Sequence, residues 1–121
     1  MLFPTIVVSR EDPSSTDARI LLDELSATLA VLTGDGGQSR FSVRDVAVDT
    51  ARFVVARSAF GTPLGCGAFR PLREDIAELK RLYARPGADG AGSAILAHLE
   101  QEAGRLGYAA LWLGTHANNR R

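Results

Sequence analysis

The stretch Gly87-Ala88-Asp89-Gly90-Ala91-Gly92-Ser93 carries residue types that can hold a phosphate. Glycine lets the backbone approach a ligand closely. A helix starting here, over Ala91 to Ala94 and onward, leaves its first-turn N–H groups without intrahelical partners, so they point at any anion set before them. A strand-like run, Ile76 to Ala84, leads into the glycines. On that run Glu78 shares a face, by simple alternation, with Ile76, Lys80 and Leu82. A carboxylate in partly apolar surroundings tends towards a raised pKa and can take a proton from an amine. The plain alternative for Glu78 is an ion pair with Lys80, Arg81 or Arg57.

Two common phosphate patterns fit poorly. A nucleotide P-loop ends in Gly-Lys-Ser/Thr, which sets an ammonium on the terminal phosphates, and no lysine follows these glycines. A dinucleotide fingerprint needs Gly-x-Gly-x-x-Gly, whereas the spacing here is Gly-x-x-Gly-x-Gly, and no acidic residue ends a second strand at the expected place. Cys66 stands between two glycines with no histidine nearby to activate it, and reads as a small buried residue. His98 reads as a helix-surface residue and His116 as a solvated strand end. Lys80, Arg81 and Arg85 could assist phosphates or be solvated strand-end charges.

The elements that must position these residues follow from pattern. Thr5 to Ser9 predicts a strand, broken by Pro13-Ser14-Ser15. Ser14 to Asp17 offers capping oxygens to a helix whose apolar residues Ala18, Leu21, Leu22, Leu25, Leu29 and Leu32 recur at helical spacing. Gly34-Asp35-Gly36-Gly37 stops it. Gln38 to Arg52 is mixed in polarity and reads as a loop with a short helix near Val43 to Val48. Phe53 to Ser58 and Leu64 to Phe69 read as a hairpin about Phe60-Gly61-Thr62-Pro63. Pro71 to Asp75 reads as a second turn before Ile76 to Ala84, which Pro86 ends. The next helix places Ile95, Leu96, Leu99, Ala103 and Leu106 on one side, with Gly107 as its cap. Tyr108 to Leu113 then reads as a buried strand parallel to Ile76–Ala84. The sum is one α/β domain over residues 1–121, with a mixed, mainly antiparallel central sheet flanked by helices.

The chain has 121 residues, with fourteen basic and fourteen acidic side chains that cancel. No overall basic field exists to draw it to nucleic acid or to an anionic membrane surface. One cysteine and two histidines supply neither a disulfide nor a metal-binding set, in keeping with a reducing cytoplasm. The opening residues lack a basic flank and a cleavage-like small-residue pair, which disfavours a signal peptide. No apolar run approaches the roughly 20 residues that cross a bilayer, so a soluble protein is expected.

The segment Ala77-Glu78-Leu79-Lys80-Arg81-Leu82-Tyr83-Ala84-Arg85-Pro86, the glycines after it and Ala94 to Glu100 resemble the acetyl-CoA-binding core of the GCN5-related N-acetyltransferases. Leu64 to Leu72 and Leu106-Gly107-Tyr108 are similar to small bacterial members, and the element order matches over nearly the whole chain. The resemblance implies an acyl-CoA N-acyltransferase-like fold and acetyl transfer from acetyl-CoA, with no metal, to a primary amine of a small molecule, amino acid or protein. It implies that Leu82, Tyr83 and Ala84 bind the pantetheine arm through their backbone. Gly87, Ala88, Asp89, Gly90, Ala91, Gly92, Ser93 and Ala94 would hold the pyrophosphate, and Asn119 would contact the cosubstrate. Glu78 would be the general base, acting directly or through water.

Two departures from the family pattern stand out. The loop usually begins with Arg or Gln where this chain has Gly87, it is shorter than usual, and acidic Asp89 stands where many relatives carry a basic residue. The chain also ends at Arg121, ahead of the family's closing helix, that helix's tyrosine acid and the last strands. Tyr83 and Tyr108 stand in the wrong places to replace that tyrosine and read as packing residues. The strand around Trp112 would then have an open edge, which a homodimer could cover. The same features leave room for a non-catalytic acyl-CoA-binding or interaction remnant, and a nucleotide-binding module is a third reading.

Overall fold

The computed structural model describes residues 5–33 and 46–113. Its elements run β1 (Ile6–Arg10), α1 (Thr16–Thr33), β2 (Arg52–Ser58), β3 (Pro63–Arg73), β4 (Ile76–Ala84), α2 (Ala91–Arg105) and β5 (Ala110–Leu113). They form a five-stranded sheet in the order β1-β2-β3-β4-β5. The first three junctions are antiparallel, and β5 lies parallel to β4, with Ile76 beside Ala110 and Leu79 beside Leu113. This is the mixed, mainly antiparallel α/β arrangement expected.

Strand alternation splits the core into two layers. On one face Val54, Ala56, Phe69, Ala77 and Leu79 pack against Ile95, Leu99 and Ala103 of α2. On the other, Phe53, Val55, Cys66 and Ala68 meet Ala18 and Leu21 of α1. The α2 layer closes tightly because two small residues of β3 face the helix. A Cβ placed on Gly67 would lie 2.6 Å from Ile95 Cγ2 and 3.1 Å from Leu99 Cδ1, and one on Gly65 would run into the Tyr83 carbonyl.

The α1 layer is held by charge as well as by apolar contact. Arg57 reaches Glu11 and Asp17 at 2.8 and 2.9 Å, and Arg81 Nη2 donates to Ser26 Oγ at 2.7 Å. Arg85 makes a two-pronged pair with Glu24 at 2.9 and 2.7 Å, and the Tyr83 hydroxyl donates to the same carboxylate at 3.0 Å. The helix itself starts at a side-chain cap, with Ser15 Oγ accepting from the Ala18 N–H at 3.2 Å.

Two expectations need correction. β3 runs on to Arg73, so Pro71 is a strand residue and only Glu74 and Asp75 turn the chain. The ladder shifts register between Pro71 and Arg73, and such an irregularity is where a strand accepts proline. The second correction concerns β4. Cys66 pairs with Tyr83 and Ala68 with Lys80, so Arg81 and Leu82 together oppose the single residue Gly67. This bulge, with Arg81 at φ 56°, resets the alternation. Leu82 therefore packs with the α2 layer while Tyr83 joins the α1 layer. Leu82 does not share Glu78's face, since the neighbours of Glu78 in sequence, Ala77 and Leu79, both belong to the α2 layer. The short helix expected near Val43 to Val48 falls largely outside the described residues.

Gly67→Ala is expected to destabilise the fold by about 1–3 kcal/mol through overpacking against Ile95, read as a lowered midpoint in urea unfolding. The Glu24 carboxyl is held below its usual 4.5, first by the hydrogen bonds from Arg85. It therefore adds stability above that usual value and loses it as pH falls through the lower folded-state one. As pH falls below about 4.5, Glu24→Gln should show a shallower fall in melting temperature than the unsubstituted chain.

Candidate functional site

The end of β4 and the start of α2 build the site. The two strands are paired from Ile76 beside Ala110 to Leu79 beside Leu113, and Leu113 is the last described residue of β5. Beyond Leu79, no described strand pairs with β4 on that side, while β3 covers the other side up to Ala84. Among the described residues, the run Lys80 to Ala84 thus offers backbone donors and acceptors along an edge that no described strand covers. Leu82, Tyr83 and Ala84, expected to bind an extended arm, lie in this run.

Past Ala84 the chain turns through Gly87 at φ 82° and Gly90 at φ 86° into α2. These left-handed values suit glycine and few other residues. Gly90 is the N-cap and gives no side-chain hydrogen bond to the helix. The Ala91 N–H is taken by Ala88 O at 3.1 Å, and that of Ala94 by Gly90 O at 3.0 Å. The N–H groups of Gly92 and Ser93 have no acceptor among the described residues. A pair of free amides at the positive end of a fifteen-residue helix has the charge and geometry to receive an anion. Asp89 is exposed on the turn, so its charge has access to solvent. The residues expected to cradle a diphosphate, Gly87 to Ala94, are brought together here, directly after the open edge of β4.

Glu78 lies on the α1 face of β4 and is fully buried. Its surroundings are more charged than the sequence pattern suggested. Arg70, its partner across the β3–β4 ladder, reaches Oε1 at 3.1 Å from Nη2 and 3.2 Å from Nε, and Lys80 Nζ lies 3.5 Å from the same oxygen. Oε2 accepts no hydrogen bond from the described residues. Of the three ion-pair partners considered from sequence, Lys80 is present, and Arg81 and Arg57 are engaged with α1 and its approach. Arg70 was missed because its proximity depends on the ladder register across the Glu74-Asp75 turn. Trp112 stands beside Glu78 in the β4–β5 register, and the Arg73 guanidinium sits 5.5 Å from its ring centre.

The basic trio is not a phosphate clamp. Lys80 is on Glu78, Arg81 on Ser26 and the Leu22 carbonyl, and Arg85 on Glu24 and the Pro63 carbonyl. Burial pushes the Cys66 thiol up to about 12, and its sulfur contacts Arg81 O at 3.5 Å, which leaves it no character as a nucleophile. Tyr108 packs edge-on against Phe69 and donates to Thr50 O at 2.7 Å. His98 lines a groove of about 640 Å³ between β1 and α2, on the sheet face opposite Glu78. Asn119 and His116 lie outside the described residues. No group of three or more His, Cys, Asp or Glu among the described residues is placed to hold a metal, and no described helix is long and apolar enough to cross a membrane.

An open strand edge running into an uncapped helix start is the feature by which known proteins can be compared. A family model described as Acetyltransferase (GNAT) family matches residues 21–121. This chain belongs to that family. Among solved structures, a putative acyl-CoA N-acyltransferase from Klebsiella pneumoniae is similar at 26% identity and TM-score 0.64, covering 83% of this chain and 64% of its own length. A GNAT-family acetyltransferase from Staphylococcus aureus Mu50 is similar at 13% identity and TM-score 0.69, covering 92% of this chain and 73% of its own. An aminoglycoside 6'-N-acetyltransferase complexed with coenzyme A is similar at 22% identity and TM-score 0.62, covering 90% and 61%. The last two likenesses are of fold. The chain thus spans under two thirds of the length of the Klebsiella and aminoglycoside proteins. No curated protein sequence matches it.

Proposed function

We propose that this GNAT-family chain transfers an acetyl group from acetyl-CoA to a primary amine on a small molecule, amino acid or protein. The observation that carries the reading is the continuity of two binding surfaces, the open edge of β4 at Leu82, Tyr83 and Ala84 and the free Gly92 and Ser93 amides at the start of α2. A long ligand with an amide-containing arm and a diphosphate matches both in order. The arm would lie along β4 as an added strand does, and the diphosphate would face the helix start. Small side chains at Ala88, Ala91 and Ala94 and none at Gly87, Gly90 and Gly92 leave the backbone accessible there. The aminoglycoside enzyme complexed with coenzyme A supports this use of the fold. Asn119 is proposed as a further contact to the cosubstrate on the family resemblance.

The reaction needs an amine lone pair to attack the thioester carbonyl. A C–N bond forms, the C–S bond breaks, CoA leaves as a thiolate, and the amine surrenders a proton. Glu78 is proposed as the base, through Oε2, since Oε1 is occupied by Arg70 and Lys80. Because Glu78 is wholly buried, this role requires the surroundings of Oε2 to open enough to admit water or the amine. A cytoplasmic location is proposed, in keeping with a lone, buried Cys66.

A second reading has its own observation. The double tie on Glu78 Oε1 and its full burial also suit a structural ion pair in an acyl-CoA-binding protein without turnover. The deciding experiment is a melting-temperature series with acetyl-CoA, CoA, ATP and NAD, followed by thioester cleavage with an amine library. Stabilisation by acetyl-CoA and CoA alone, with amine-dependent cleavage, is the expected result. Stabilisation without cleavage supports the binding protein, and a larger shift with ATP or NAD supports a nucleotide module.

Two substitutions refine the test. Asp89→Arg removes a like charge from the diphosphate turn and should tighten acetyl-CoA binding several-fold by calorimetry, roughly the 0.3–1 kcal/mol of a helix-terminus charge counted for the charge lost and the charge gained. Glu78→Gln should still bind acetyl-CoA but lose on the order of 10²-fold in amine-dependent rate, with a changed pH profile. An unchanged profile would remove Glu78 from the chemistry.

A further inference from the structure

We propose that Arg81 is a positioning residue for the pantetheine arm, holding the β4 bulge against α1 and thereby setting the direction of the open run Leu82 to Ala84. This rests on the acetyl-CoA reading and goes beyond it by naming what holds the groove in shape.

The argument starts from a backbone cost. Arg81 is the one non-glycine residue with positive φ among the described residues, at 56°. Such a conformation costs a side-chain-bearing residue about 1–2 kcal/mol, and glycine would adopt it freely. An arginine here implies that its side chain returns what the backbone loses. The guanidinium does so across the sheet face, donating from Nη2 to Ser26 Oγ at 2.7 Å and lying 3.4 Å from the Leu22 carbonyl one helical turn earlier. Ser26 is itself buried, 8% exposed, so the bond is shielded from water. Burial lowers the guanidinium's proton affinity, a desolvation cost that the contacts to α1 must also offset.

The bulge is gripped from the sheet as well. Arg81 O receives the Cys66 thiol at 3.5 Å, and Gly67 is the single residue opposite Arg81 and Leu82. Everything downstream depends on this grip. The bulge sends Leu82 into the α2 layer and Tyr83 into the α1 layer, where its hydroxyl donates to Glu24. It begins two residues beyond the last described β4–β5 pair, within the run of β4 that no described strand covers. The side chain of Arg81 is bonded to α1 over the sheet face, so it acts on the arm through the backbone it holds.

The test separates positioning from general stability by splitting the ligand. Coenzyme A and phospho-ADP, its nucleotide half without the pantetheine arm, are titrated by calorimetry into the unsubstituted chain, Arg81→Gly and Ser26→Ala. Arg81→Gly keeps the permitted backbone and removes the tie, and is expected to weaken coenzyme A roughly tenfold or more while leaving phospho-ADP within about twofold. Ser26→Ala, which removes one partner and keeps the fold's charges, is expected to move coenzyme A roughly threefold in the same direction. Equal weakening of both ligands, or no change for coenzyme A in Ser26→Ala, overturns the proposal and leaves the acetyl-CoA reading standing. Failure of the unsubstituted chain to bind coenzyme A overturns both. If Arg81→Gly does not fold, the Ser26→Ala comparison decides on the same criterion.

Discussion

Two side chains that β3 does not have decide where the active elements lie. Gly65 and Gly67 let α2 settle so closely that Ile95 fills the space a Cβ would need. With the helix at that height its first turn arrives beside the end of β4, where a Cβ on Gly92 would be 3.9 Å from that of Ala84. A bulkier β3 would lift α2 off the sheet and separate the helix start from the strand edge. The proposed anion and arm sites are then neighbours because of packing on the adjacent strand β3, and neither is encoded in its own loop alone.

The two helices are attached by different physics. α2 is seated by Ala91, Ile95, Leu99 and Ala103, an apolar stripe that buries well and is indifferent to ionic strength. α1 is tied by Arg57, Arg81 and Arg85 to Asp17, Ser26 and Glu24. Exposed ion pairs of this kind are worth little singly, and these are partly sheltered and shared among several donors. The sheet therefore has one face fixed by shape and another fixed by directional contacts to backbone and side-chain oxygens. The buried pair of Glu78 with Arg70 belongs to this second face and extends it towards β5.

Much of this was legible in the chain. The helix of Thr16 to Thr33 announced itself through its leucine spacing and serine cap, and the strand Ile76 to Ala84 through its flanking turns. Gly107, at φ 90°, closes α2 as its position suggested, with the Tyr108 N–H bonded to Ala103 O. What pattern could not convey was any effect of one strand on another. Pro71 reads as a turn until the register shift beside it is known, and Leu82 reads as a neighbour of Glu78 until the bulge at Arg81 reverses the faces. Arg70 and Ser26 gain their roles from residues eight and fifty-five positions away. Alternation and periodicity are local rules, and these contacts are set by ladder register and helix docking.

The two helix starts make an instructive contrast. α1 opens on Ser15, whose hydroxyl satisfies the helix from within the chain, and α2 opens on Gly90, which offers no side-chain atom at all. Glycine in place of a capping side chain costs only about a few tenths of a kcal/mol, small against a total folding stability of about 5–15 kcal/mol for a domain. The start of α2 thus leaves its first amides uncovered by any capping side chain at little expense in stability, through the choice of a single residue.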